Sequence, residues 1–170
     1  GLLRVFVTSF DGNEPTLALL TEGTVVGELG VLADVPRSAS VAALRTSQLV
    51  EIPAAVFLAA YDDEPAMARC LVGLLSDRLR ATNDGLADLT YLDLGGRLAK
   101  YLLRECEHAG SSSVTLSLNQ SELGQMIGGA RQTVNQLLRS LERANLIAIE
   151  GRTVRILDRD GLQLRALSST

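Results

Sequence analysis

Histidine occurs once and cysteine twice in the 170 residues. With His108 alone there is no His–carboxylate pair and no set of metal ligands, and no glycine-rich loop ends in a phosphate-binding lysine, so enzymatic activity is not expected. Cys70 and Cys106, 36 residues apart, cannot staple a chain of this length and have no metal-ligand spacing; both are expected to be buried as small hydrophobes. Long apolar runs are missing too. "PAAVFLAAY" at 53–61 falls far short of the roughly 20 residues a membrane helix needs, so no membrane association is expected. The first apolar run contains Arg4 and is followed by no cleavage-site pattern, which argues against a signal peptide and for a cytoplasmic setting. Neither sign of charge dominates, the formal net being −4. The balance is uneven, however. Residues 1–114 carry 9 Arg/Lys against 15 Asp/Glu, and residues 115–170 carry 7 Arg against 5 Asp/Glu, a small basic excess at the C-terminal end.

What remains is 46% apolar residues, enough for one large domain or two small ones. Residues 2–9, 16–22, 38–46 and 47–52 are rich in Val, Leu and Thr and broken by turn clusters such as "DGNEP", which predicts four strands. From Pro53 the pattern becomes helical, first to Tyr61, then from "DDEPAM", where three acids and a proline suit a helix start. In that second helix Ala68, Val72, Leu75, Leu79, Thr82, Leu86 and Leu89 step 4, 3, 4, 3, 4, 3. This narrow heptad seam predicts pairing with a second copy through residues 68–89 rather than packing on its own domain. Thr82 is its one polar member, and Asn83 follows.

After a further helix, "YLDLGGRLAKYLLRECEHAG", and a strand at 114–118, "NQSELGQMIGGARQTVNQLLRSLERANLI" has the spacing of a helix-turn-helix. Asn119 with Glu122 forms a capping box. Gly124 suits a close helix crossing, Gly128 a left-handed turn, and Val134 and Leu137 are expected to be buried. The second helix then presents Arg131, Gln132, Asn135, Gln136 and Arg139 outward, two guanidinium groups and three amides with no acid, the groups that read guanine and adenine edges. "EGRTVRI" reads as a hairpin with Arg152 and Arg155 placed for phosphates.

A β region containing "GELGVLADVPRSAS", a coiled-coil helix and a helix-turn-helix containing "LGQMIGGARQTV" follow in that order. The chain resembles the CRP/FNR superfamily of bacterial transcription regulators, most closely its cyclic-AMP receptor protein branch. The fold so implied is α+β: a cyclic-nucleotide-binding β-roll at 1–62, a dimerisation helix and hinge at 63–92, and a winged helix-turn-helix at 93–170. The 27–40 stretch is then a phosphate cassette. Arg37 would pair with a cyclic phosphodiester through its planar fork, joined by Gly27, the backbone amides at Leu29 and the Ser38 hydroxyl, while Glu28 would accept from the ribose 2′-hydroxyl. The resemblance further implies that Arg78 lines this pocket, that Thr82 faces the base, and that Asn83 reaches the ligand of the other subunit. The DNA-facing set is Gln120, Arg131, Gln132, Thr133, Asn135, Gln136, Arg139 and Arg152. Cyclic AMP is the implied ligand, with cyclic GMP as the alternative and no metal. Double-stranded operator DNA, a second copy of the chain and RNA polymerase are the implied partners.

The match departs from the family in three places. The family's roll has strands before the one that starts at Gly1, and the roll is expected to be half open unless such strands precede Gly1 in a longer chain. Ala130 stands where relatives place a capping Ser or Thr, a loss of about 0.5–2 kcal/mol if nothing replaces it. Gln132 and Gln136 stand where the best-known member has Glu and Arg, which predicts a different operator. A second reading stays open: a dimeric signalling module of the same fold that answers another effector, or none.

Overall fold

In the computed structural model, which describes residues 1–167, the chain divides into two units, Gly1–Asn83 and Asp84–Thr170. In the first, strands β1 (Leu2–Phe6), β2 (Thr16–Leu20) and β3 (Ser40–Arg45) form an antiparallel sheet in the order β2-β1-β3. Leu3 lies opposite Leu20 on one side and Ala43 on the other. This places Leu2, Leu3 and Leu20 in the core. Helices α1 (Glu28–Leu32) and α2 (Ala54–Asp63) follow β2 and β3, and Phe57 of α2 is buried. The expected strand at 47–52 does not form. The sheet ends at β3 with no further strand beside it among the described residues, and Leu49 and Val50 project into solvent. β-branched and aliphatic residues favour a strand only when a partner strand and a covered face are available.

Pro65 opens α3 (Pro65–Tyr91), 27 residues long, in which only Leu71 is buried. Val72, Leu79, Leu86 and Leu89 of the heptad row are each more than 60% exposed. These four positions are therefore not packed on the chain's own units. Cys70 corrects an expectation, since it is exposed on α3 while Cys106 is buried. Leu71 is the one buried residue of α3, and Cys70 lies outside that contact.

The second unit comprises α4 (Leu94–His108), β4 (Ser113–Thr115), α5 (Gln120–Ile127), α6 (Arg131–Arg143), β5 (Ile147–Glu150), β6 (Thr153–Ile156) and α7 (Arg159–Leu167). Its sheet has the order β4-β6-β5. Leu98, Leu102, Leu123, Val134, Ile147, Val154 and Leu162 are almost wholly buried and form the core. On α6 the inward row is Val134, Leu138 and Leu141, at i, i+4 and i+7, whereas Leu137 is half-buried and flanks that row.

Helix α7 is an addition to the elements expected from the sequence. It runs antiparallel to α4, with Arg165 gripping Asp93 at 2.8 and 2.9 Å and Arg159 reaching Glu107 at 2.5 Å. Asp93 also caps α4 by accepting from the Gly96 amide at 2.6 Å. The Arg165 guanidinium, with that amide, holds the Asp93 carboxyl below its ordinary value. A carboxylate with a depressed folded value stabilises the fold above the unfolded carboxyl range and loses that contribution as pH falls through the lowered value. Asp93→Asn, which keeps the cap but not the charge, should therefore show a flatter decline of urea stability below about pH 4 than the parent. Parallel declines would mean that the ion pair does not contribute.

Candidate effector cassette and reading head

Within the first unit, α1 is entered through Gly27, whose φ of 87° is left-handed and suits glycine. The carbonyl of Gly27 accepts from Arg37 Nη1, so the ten-residue excursion between them folds back on itself. A Cβ on Gly27 would come within 2.8 Å of that guanidinium. Glu28 is 3% exposed, and its Oε1 accepts from Arg78 Nη1 at 2.5 Å. Arg78 also donates through Nη2 to the carbonyl of Val25. The other oxygen, Glu28 Oε2, is buried without a hydrogen-bond partner. A buried carboxylate oxygen left unbonded is costly.

Gly27, Glu28, Arg37 and Arg78 thus form one cluster of two hydrogen-bonded pairs, Gly27 with Arg37 and Glu28 with Arg78. Leu29 and Ser38 lie exposed beside it. Thr82 and Asn83 are exposed one turn beyond Arg78, and the Thr82 hydroxyl donates to the Arg78 carbonyl at 2.9 Å, within its own helix. The Val25 carbonyl had no signal in the sequence, because any residue offers one.

In the second unit, the Asn119 side chain accepts from the amides of Ser121 and Glu122, and Glu122 returns a carboxylate to the Asn119 amide, which completes the capping box. Gly128 ends α5 with a φ of 80°. A Cβ on Gly124 would overlap the carbonyl oxygen of Gly129, a backbone atom with nowhere to go. Gly124→Ala should accordingly cost roughly 1–3 kcal/mol of stability, as overpacking does, read as a lowered urea midpoint. An unchanged midpoint would show that the turn is free to move.

Helix α6 has no side-chain cap at Ala130. Arg131, Gln132, Gln136 and Arg139 are exposed, and Thr133 is half-buried. Asn135 is half-buried and donates through Nδ2 to Gln120 Oε1 at 3.2 Å, a link between the two helices that spacing alone does not reveal. Between α6 and the β5–β6 wing lies a cleft of about 690 Å³ bordered by Gln120, Arg131, Asn135, Arg139 and Arg152. Arg152 and Arg155 are both exposed; Arg152 bonds the carbonyls of Leu116 and Ser117, and Arg155 has Glu150 at 4.0 Å.

Residues 1–64 match the family model of the cyclic nucleotide-binding domain, and residues 96–165 match that of the Crp-like helix-turn-helix domain. Over 171 aligned residues the chain is 33% identical to the CRP-like cAMP-activated global transcriptional regulator of Mycobacterium tuberculosis, covering 98% of this chain and 76% of that protein. The chain belongs to the CRP/FNR family of transcription regulators. The cAMP-activated global transcriptional regulator CRP of Salmonella typhimurium is 30% identical over 91% of this chain and 76% of its own length. A CooA mutant from Carboxydothermus hydrogenoformans shares the fold with a TM-score of 0.79 at 23% identity, over 98% of this chain and 75% of that one. Family membership makes the reading head a DNA-binding element and the cassette part of a cyclic-nucleotide domain. No helix among the described residues is long and apolar enough to cross a membrane, and no group of potential metal ligands occurs among them.

Proposed function

We propose that the chain is a cyclic-AMP-responsive regulator that binds an operator as a homodimer, with a nucleotide domain at 1–62, a dimerisation helix and hinge at 63–92, and a DNA-reading domain at 93–170. The buried, unbonded Glu28 Oε2 beside the Arg37 turn carries this reading. It offers an acceptor for a ribose hydroxyl and a guanidinium for one phosphate charge, which is what a cyclic nucleotide requires. The relatives named as cAMP-activated support cyclic AMP over cyclic GMP. Gly27, Leu29 and Ser38 complete the cassette, Arg78 answers to the same ligand, and Thr82 and the partner copy's Asn83 position the base. The open aliphatic row at 68–89 supports pairing with a second copy. Arg131, Gln132, Thr133, Asn135, Gln136 and Arg139, with Gln120, meet the operator, and RNA polymerase is the downstream partner. No enzymatic activity is part of this function.

One observation favours a second reading, a module answering another effector or none: one oxygen of Glu28 is taken by Arg78 of the same chain. A thermal-shift titration with cyclic AMP, cyclic GMP and no ligand decides between them. Binding at a hundredfold excess over Kd adds about 2.7 kcal/mol to stability, a shift well within detection. A rise with cyclic AMP at lower concentration than with cyclic GMP supports the first reading; no rise with either supports the second.

A further inference from the structure

Arg152 looks from the sequence like a phosphate contact on the wing; the residue is exposed, and its guanidinium also bonds the chain's own backbone. Nε and Nη2 donate to the carbonyl of Leu116 at 3.3 and 2.9 Å, and Nη2 also donates to the carbonyl of Ser117 at 2.9 Å. The backbone answers in the other direction, with the Leu116 amide donating to the Arg152 carbonyl at 2.9 Å. The turn between β5 and β6 is thereby bonded both ways to the loop before α5. That loop is anchored by Leu116 and Leu118, both buried, and runs directly into Asn119, the cap of α5. The next residue, Gln120, holds Asn135 on the outward side of α6. Arg131 and Arg139 are exposed as well but make no hydrogen bond or ion pair among the described residues, and Arg155 has only the distant Glu150.

We propose that Arg152 is a positioning residue: it locks the wing to the 116–118 loop and so sets the wing, the start of α5 and the Gln120–Asn135 pair as one rigid surface for DNA. The inference rests on the DNA-binding reading above. It depends on the planar fork of arginine, which reaches two carbonyls at once; a lysine ammonium at the same place keeps the charge but not that geometry. A phosphate contact depends on charge and survives the exchange for lysine far better.

The test compares the parent with Arg152→Lys and Arg152→Ala, each checked for an unaltered circular dichroism spectrum, in two measurements on the whole chain. The first is amide hydrogen exchange without DNA. Faster exchange at Leu116 and across residues 149–153 is expected in both variants. The second is affinity for a mixed-sequence DNA duplex at fixed salt, expected to fall roughly tenfold in both, as loss of charge-assisted hydrogen bonds that hold a geometry implies. An Arg152→Lys protein that binds like the parent, or exchange that is unmoved in both variants, overturns the proposal. If the parent itself binds no duplex while exchange quickens in the variants, the lock stands and the DNA reading falls.

Discussion

Arg37→Ala should abolish the response to cyclic nucleotide while leaving the ligand-free melting temperature within a degree or so of the parent's, as an exposed substitution outside the core does. The two halves of this expectation come from the same geometry. Arg37 is exposed, lies outside the core, and makes one bond to the Gly27 carbonyl, so little of the fold depends on it. In the proposed complex the same side chain is the principal countercharge to the phosphate. Removing one member of a desolvated, hydrogen-bonded charge pair costs about 2–5 kcal/mol, a loss of roughly 30-fold to several thousand-fold in affinity. Calorimetric titration measures it directly. Arg37→Lys should fall between parent and alanine, retaining the charge without the fork. Glu28→Gln should weaken binding less than Arg37→Ala, since an amide oxygen still accepts from a hydroxyl. A full ligand-dependent melting shift in the Arg37→Ala protein would remove the cassette from its assigned role.

Leu79→Asp should give a folded monomer that no longer binds an operator. Leu79 is 62% exposed in the single chain, at the middle of the open row formed with Val72, Leu86 and Leu89. A carboxylate there harms the isolated fold little. Across a paired seam it would be an unpartnered charge surrounded by aliphatic side chains, which such an interface does not tolerate. Two reading heads joined as a dimer meet half-sites about one helical turn apart. A lone head keeps only the phosphate-driven attraction, with dissociation constants on the order of 10⁻⁴ to 10⁻⁶ M. Sedimentation velocity and a gel shift read the two effects on one sample. A Leu79→Asp protein that still sediments as a dimer would place the interface elsewhere on the chain.

The features legible in the sequence were those specified by a few neighbouring residues. The capping box needs only Asn119 and Glu122, the left-handed turn only Gly128, and the heptad row only its own spacing. Features settled by distant partners were not legible. Residues 47–52 have strand-forming composition, but no strand pairs with them, and composition carries no record of which pairings the fold makes. Arg152 reads as a cation placed for phosphates, and spacing gives no sign of its bonds to the carbonyls of Leu116 and Ser117, nor of the bond from Arg78 to the carbonyl of Val25. Helix α7 did leave a trace. Asp158 accepts from the Gly161 amide at 2.9 Å as a capping residue would, but Gly161 in the first turn is a poor helix former and masks the signal. Its stability comes from packing Leu162 and Ala166 inward and from the ion pairs to α4.

That late helix has a consequence in time. The start of α7 lies 51 residues beyond the end of α4, the helix it covers and whose cap it grips. A ribosome adding roughly 5–20 residues per second needs about 3–10 s to bridge that gap. During the interval the nascent α4 carries an apolar face without its cover, and Asp93 has no Arg165 to hold it. The helix-turn-helix can form its local contacts in those seconds, but the domain around it stays open until residues 159–167 have emerged. Completion of the reading head therefore waits for residues 159–167, and an interruption after the wing would leave recognition elements on an unfinished core.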